Sequence, residues 1–123
     1  MTPNIVLPLN LACFTLNLTF QKTTLSHIHA DAFRSLGKLA YLYLDNNELT
    51  SLAETSLNPL VGLYNLDMQN NKLDKLYQNS FEKMTRLRKV RLNDNKLKTL
   101  PDALFKPIPK LKNLDLGNNE ITR

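Results

Sequence analysis

The sequence predicts an α/β solenoid: a curved, right-handed stack of repeats, each with one short parallel strand and with loops or 3-10 turns on the convex side. Two columns of residues that recur at a constant step of 24 predict this architecture. The first column is leucine and the second is asparagine: Leu39, Leu63, Leu87 and Leu111, then Asn47, Asn71, Asn95 and Asn119. A third observation is the alternation of apolar and polar residues from Leu42 to Leu44, which is typical of a strand with one buried face.

The repeats divide nearly the whole chain. We predict a partial cap-like segment at 1–14 and repeats at 15–38, 39–62, 63–86, 87–110 and, incompletely, 111–123. Complete repeats follow the pattern L-x-x-L-x-L-x-x-N-x-L, whereas the first repeat has Thr15 and Thr23 in place of the leading leucine and the asparagine. Because one unit cannot bury its own apolar edge, we expect neighbouring repeats to cover each other's apolar columns.

Each strand is followed by a polar pair whose second member is asparagine. The chain must turn sharply there, which leaves backbone N–H and C=O groups without strand partners. An asparagine side chain both donates and accepts, so we expect a structural ladder that joins each turn to the next, formed by Asn47, Asn71, Asn95 and Asn119. A calcium site built from Asp45, Asn46 and Asp94 is a weaker alternative, because no glutamate closes the loop as a bidentate ligand.

This spacing resembles the leucine-rich repeat family over residues 15–123. A 24-residue unit is similar to the typical class of extracellular animal proteins, which includes Toll-like receptors, Slit, small proteoglycans and variable lymphocyte receptors. The resemblance implies a non-enzymatic protein-binding module that is extracellular, either secreted or part of a membrane receptor, with innate immune signalling among the family's roles. It also implies that a protein or glycan ligand binds on the concave face of the sheet.

The two ends of the chain lack the cysteine-rich caps of that class. The segment from Leu7 to Phe20 resembles the passage from an N-terminal cap into the first repeat, but Cys13 is the only cysteine. Terminal repeats normally need a polar cover. We therefore expect a fragment whose uncapped ends favour self-association, and a structural or assembly module is an alternative function.

The outward positions of the strands hold the candidate partner-binding residues. Column register places these side chains on the concave face: Tyr41, Tyr43, Tyr64, Asp67, Arg88, Lys89, Arg91 and Lys112. Tyrosine and arginine are frequent at interaction hot spots. Two plainer interpretations stay open. Packing alone favours tyrosine on strands, and Arg91 between Asp67 and Asp115 is suited to a cross-strand charge ladder.

The positive charge lies entirely in the second half of the chain. Residues 1–62 carry three Lys or Arg and four Asp or Glu, whereas residues 63–123 carry thirteen and seven, for a net charge of +5. A protein ligand is the leading expectation, and an acidic glycan is a second candidate for this basic half. Nucleic acid is a weaker candidate because no DNA- or RNA-binding motif accompanies the charge.

Other kinds of site find little support in the sequence. The sequence has no run of about eighteen apolar residues, which a membrane span would need. It also lacks a phosphate loop, a cofactor motif and a nucleophile motif that would indicate an enzyme. A metal site would need more than His27, His29 and Asp31. Asn17 begins an Asn-Leu-Thr sequon and is a candidate for N-glycosylation, although in an asparagine-rich chain one sequon says little about secretion.

Overall fold

The structure is a computed structural model that describes residues 16–122 in full and the backbone of Asn4–Ile5. The cap-like segment predicted at 1–14 lies outside the described residues, apart from this short strand. The described strands, in chain order, are β1 (Asn4–Ile5), β2 (Asn17–Thr19), β3 (His27–Ile28), β4 (Tyr41–Tyr43), β5 (Asn65–Asp67), β6 (Lys89–Arg91) and β7 (Asn113–Asp115).

One five-stranded parallel sheet runs through the molecule in the order β2-β4-β5-β6-β7. Its register is a step of 24 residues, so that Leu42 pairs with Leu66 and Leu66 pairs with Val90. A second, two-stranded parallel sheet joins β1 to β3. Each repeat therefore adds one strand to the side of the previous one, which confirms the predicted parallel-strand solenoid.

The apolar columns form one continuous core. The middle strand residues Leu42, Leu66 and Val90 are each 0% exposed, because each is covered by its counterparts on the neighbouring strands. Leu114 of β7, the last strand of the described residues, is 40% exposed. On the convex side the rings of Phe81 and Phe105 stack with centroids 6.1 Å apart.

The convex side consists of turns, and within residues 16–122 no helix forms. The turns close with hydrogen bonds between residues three apart, as from Leu36 N to Phe33 O (3.1 Å) and from Leu60 N to Leu57 O (3.0 Å). These are 3-10-type bonds. Among the described residues there is also no helix with the length and apolar character needed to span a membrane.

Candidate partner-binding face

The asparagine that follows each strand lies against the backbone of two successive turns. Asn95 Nδ2 donates to Leu92 O in its own turn and to Met68 O in the preceding one, both at 3.0 Å, and its Oδ1 accepts from Leu73 N at 3.0 Å. The same pattern recurs at Asn47, Asn71 and Asn119. In the first repeat Thr23 occupies this position, and its backbone N–H and its hydroxyl both contact Asn47 Oδ1 at 2.9 Å.

The residue before each of these asparagines adopts a left-handed backbone, which sequence reasoning missed. The φ angles are 60° at Asn46, 57° at Asn70, 58° at Asp94 and 54° at Asn118. Asn and Asp are the non-glycine residues that tolerate this conformation best. The signal was present in the sequence, because only Asn or Asp occupies this position in the four complete phrases.

Two of the predicted tyrosines and one arginine form a contact cluster at the edge of the sheet where the strands begin. The rings of Tyr41 and Tyr64 meet edge to face, with centroids 6.4 Å apart and planes at 65°. The Arg88 guanidinium lies over the Tyr64 ring, 5.5 Å from its centroid. Tyr41 is 39% exposed and Tyr64 is 46% exposed. We call these three residues the Tyr64 cluster.

The third tyrosine, Tyr43, takes part in neither ring pair of the described residues. It is half-buried and lines a depression of about 230 Å³ together with Asn65, Asp67, Lys89 and Arg91. The Asn65 Oδ1 atom is buried and has no hydrogen-bond partner. A second depression, of about 370 Å³, lies over β6 and β7 and is lined by residues 89–91 and 113–115.

Asp67 is on the predicted face but is only 5% exposed. Its Oδ1 accepts from Gln69 N at 3.2 Å, its Oδ2 accepts from Gln69 Nε2 at 3.1 Å, and Arg91 lies 3.7 Å away. Burial raises the pKa of Asp67 above its ordinary value, with the nearby Asp45 adding to the rise, while the Gln69 hydrogen bonds and Arg91 oppose it. This carboxylate therefore faces Gln69 and Arg91 and offers little surface to a partner.

The remaining predicted positions are more accessible. Lys89 is half-buried on β6, and Lys112 is exposed beside it, with its backbone N–H 2.8 Å from Arg88 O. Asn17, the candidate glycosylation position, is exposed on β2 and pairs in register with Tyr41. Half of the predicted charge ladder forms: Arg91 pairs with Asp67, which is the only ion pair of residues 16–122, whereas Asp115 Oδ1 accepts from Gly117 N at 3.0 Å.

The two histidines, which the sequence did not support as a metal site, contact neighbouring polar groups. His29 Nδ1 accepts from Asp31 N at 3.0 Å, and His27 Nδ1 lies 2.9 Å from Ser26 Oγ. Within the part of the chain that the structure describes, no group of three or more His, Cys, Asp or Glu is placed to hold a metal ion.

Sequence comparison decides the family. The family model described as leucine rich repeat matches residues 15–73 and again residues 61–121. The chain belongs to the leucine-rich repeat family. Members of this family are in general binding scaffolds without catalysis, and the predicted resemblance is confirmed. No curated protein sequence matches the chain.

Solved structures with the same repeats align closely. Toll in the Toll–Spatzle complex of Drosophila is 29% identical over 85% of this chain, with a TM-score of 0.80. TLR13 in complex with ssRNA13 is 24% identical over 85% of the chain, with a TM-score of 0.80. A chain of the octameric complex of Latrophilin 3, Unc5D and FLRT2 is 21% identical over 94%, with a TM-score of 0.65. The last two likenesses show the fold alone.

The leucine-rich repeat chain is short beside these structures. It spans 14% of the Toll chain, 15% of the TLR13 chain and 42% of the chain in the Latrophilin 3 complex. The partner is Spatzle in the Toll complex and ssRNA13 in the TLR13 complex.

Proposed function

We propose that this leucine-rich repeat chain is a non-enzymatic protein-binding module of an extracellular receptor-like or matrix protein. It recognises a protein partner through the concave face of its parallel sheet. An innate immune signalling receptor is one setting consistent with the alignment to Toll, whose complex is described as a hub of development and innate immunity.

The Tyr64 cluster is the observation that carries this proposal. Tyr41 and Tyr64 are large, exposed and already held against each other, and Arg88 is already stacked on Tyr64. Tyrosine and arginine dominate interaction hot spots. Because the sheet beneath them is fixed by strand pairing, binding would order few residues, which lowers the entropic cost of association.

A glycan at Asn17 is part of the same extracellular proposal. Asn17 and Thr19 of the sequon are exposed on β2, and Asn17 is one strand away from Tyr41. The chain secreted from animal cells should lose mass on treatment with an N-glycosidase, and the Asn17→Gln variant should show no such loss. Unmodified secreted chain would rule out this glycan.

The test of the main proposal compares two matched double variants. Tyr64→Ala with Arg88→Ala removes the cation–π pair on the concave face. Tyr77→Ala with Lys75→Ala removes the other cation–π pair of the described residues, in which the Lys75 ammonium lies 5.0 Å from the Tyr77 ring centroid. Each variant loses one tyrosine and one cation, so the two differ mainly in position.

Both variants and the unmodified chain would be screened by surface plasmon resonance against a panel of extracellular protein domains, heparin and single-stranded RNA. We expect a protein ligand whose affinity falls at least about tenfold in the concave-face variant, since hot-spot truncations cost about 2 kcal/mol or more. The control variant should bind normally. Equal losses in both variants, or binding only to heparin, to RNA or to the chain itself, would overturn the proposal.

A further inference from the structure

Exposed apolar side chains are concentrated along one edge of the five-stranded sheet. Five large apolar side chains are exposed in residues 16–122, and four of them lie where the strands begin: Leu16 (59%), Tyr41 (39%), Val61 (49%) and Tyr64 (46%). We call this border the leading edge. Exposed apolar patches of this kind mark interaction sites more often than general surface.

Backbone hydrogen bonds make the leading edge a continuous row. Ala40 N donates to Leu16 O at 2.9 Å, and Tyr64 N donates to Ala40 O at 2.8 Å. The row continues from Arg88 N to Tyr64 O at 2.9 Å and from Lys112 N to Arg88 O at 2.8 Å. Val61 belongs to the same border, because it stands beside Gly37 of the preceding repeat, three residues before Tyr64.

The other half of the leading edge is cationic. Residues 85–90 and 109–113 carry five Lys or Arg and no Asp or Glu: Arg86, Arg88, Lys89, Lys110 and Lys112. Of the carboxylates on the adjoining strands, Asp67 is buried and faces Arg91, and Asp115 is exposed at the opposite end of β7 from Lys112. The two halves meet where the Arg88 guanidinium lies over the Tyr64 ring. The edge is thus largely apolar from Leu16 to Tyr64, where the exposed Lys38 is the one cation at the repeat position of Arg86 and Lys110, and it is positively charged from Arg86 to Lys112.

We propose that the leading edge docks an extended segment of a partner protein, with apolar side chains at one end and acidic side chains at the other. This inference rests on the proposed function and adds Leu16, Val61, Arg86 and Lys110 to the contact. Five rows of parallel strands about 4.8 Å apart span roughly 19 Å, which an extended peptide covers with about six residues. The apolar end lies over Leu16 and Tyr64, and the carboxylates face Arg88 and Lys112.

The separation of apolar from cationic residues favours a protein segment over a polyanion. A nucleic acid or a sulfated glycan carries negative charge along its whole length. Such a ligand would place charge over Leu16 and Val61, in a half of the edge where Lys38 is the single cation. A peptide is the ligand that combines aliphatic side chains and carboxylates in adjacent halves of one chain.

Selection from a random octapeptide library displayed on phage tests this pairing without assuming a sequence. The immobilised full chain should enrich peptides with apolar residues in one half and Asp or Glu in the other. Their affinity should fall at least about tenfold for Arg88→Glu with Lys112→Glu, because like charges would then face each other. Lys96→Glu with Lys98→Glu makes the same change in net charge at exposed positions after β6 and should bind normally.

Each outcome has one meaning once circular dichroism shows that the variants are folded. Enriched peptides that lack acidic residues, or no enrichment at all, would overturn the inference. Peptide binding that survives Arg88→Glu with Lys112→Glu but is lost with Tyr43→Ala and Arg91→Gln would also overturn the inference. The concave face would then remain the binding site. Peptide binding that survives both pairs of substitutions, at Arg88 and Lys112 and at Tyr43 and Arg91, would overturn the proposed function too. Heparin or single-stranded RNA that binds through Arg88 and Lys112, with no peptide enriched, would replace the protein partner by a polyanion.

Discussion

Asn71 donates a hydrogen bond from its side-chain nitrogen to the backbone oxygen of Leu44, which is 3.0 Å away and belongs to the preceding repeat. The same nitrogen donates to Met68 O at 3.1 Å in its own turn, and Oδ1 accepts from Leu49 N at 3.1 Å. Asn71 itself is 7% exposed. One amide group therefore satisfies buried backbone atoms of two repeats, and water cannot easily replace it.

Replacing this amide by a carboxylate should destabilise the fold. Asn71→Asp keeps an acceptor for Leu49 N but loses the donor to Leu44 O and Met68 O, and each unsatisfied buried group costs about 1–3 kcal/mol. The neighbouring Asn70→Asp is a matched control, because Asn70 is exposed and Asp94 already holds that position in the next repeat. Urea unfolding should show a loss of at least about 2 kcal/mol for Asn71→Asp and less than about 1 for Asn70→Asp. Similar losses would mean that the buried amide has no special role.

Core truncation should cost more in the middle of the stack than at β7. Leu66 is 0% exposed, whereas Leu114 in the same column is 40% exposed. Leu66→Ala should lower the free energy of unfolding by about 2–5 kcal/mol, and Leu114→Ala by distinctly less, since part of that side chain already contacts water. Urea titrations at two protein concentrations would measure both. If both variants lost the same free energy of unfolding, and the loss depended on protein concentration, the prediction would be wrong. That result would indicate that Leu114 is covered by a second copy of the chain.

Two glycines should respond differently to the same substitution. A Cβ added at Gly62 would lie 2.7 Å from the backbone oxygen of Gly37, whereas one added at Gly37 would meet only Val61 and Pro59 atoms at 3.7 and 3.8 Å. Neither glycine has a positive φ, so any loss is steric. Gly62→Ala should therefore lower stability by about 1–3 kcal/mol. Gly37→Ala should be neutral or gain up to about 1 kcal/mol, and a larger loss at Gly37 than at Gly62 in thermal unfolding would contradict the close approach.

The repeat period alone located the strands and the buried columns, since strict spacing forces equivalent residues into equivalent places. The period by itself did not show that Asn46 has a left-handed backbone; the signal was the restriction of this position to Asn or Asp in the four complete phrases. The period also could not predict that Tyr41 and Tyr64 would be in ring contact while Tyr43 would not. All three point outward, but ring contacts depend on the offset between strands and on side-chain rotamers.

Burial on the outer face was also beyond the sequence. Asp67 was expected as an accessible contact residue, yet it is 5% exposed because Gln69 and Arg91 extend over it. Val61 went unnoticed because the period marks which positions are apolar in every repeat, and Gly37 and Thr85 occupy this position in the neighbouring repeats. Side-chain length and local charge, which vary between repeats, set these features of the face.

Removing the charge of Asp67 should stabilise the chain at neutral pH. Burial raises the folded-state pKa of this carboxyl above 3.8, so the folded state holds the proton more tightly than the unfolded state does. Stability from this group is present at low pH and is lost as the pH rises from about 3.8 through the raised pKa. Asp67→Asn, which still accepts a hydrogen bond from Gln69 N, should exceed the original chain in stability at pH 7, and the difference should shrink as the pH falls toward 3.8.

Chemical denaturation at a series of pH values would measure that difference, with Asp102→Asn, an exposed position, as the control for the change in net charge. A variant less stable than the original chain at pH 7 would show that the Gln69 hydrogen bonds and the 3.7 Å contact with Arg91 outweigh the cost of burial. Ionised Asp67 would then be a net stabilising partner of Arg91. The sign of this one difference therefore decides whether the carboxylate is kept for stability or for holding the Arg91 guanidinium on the concave face.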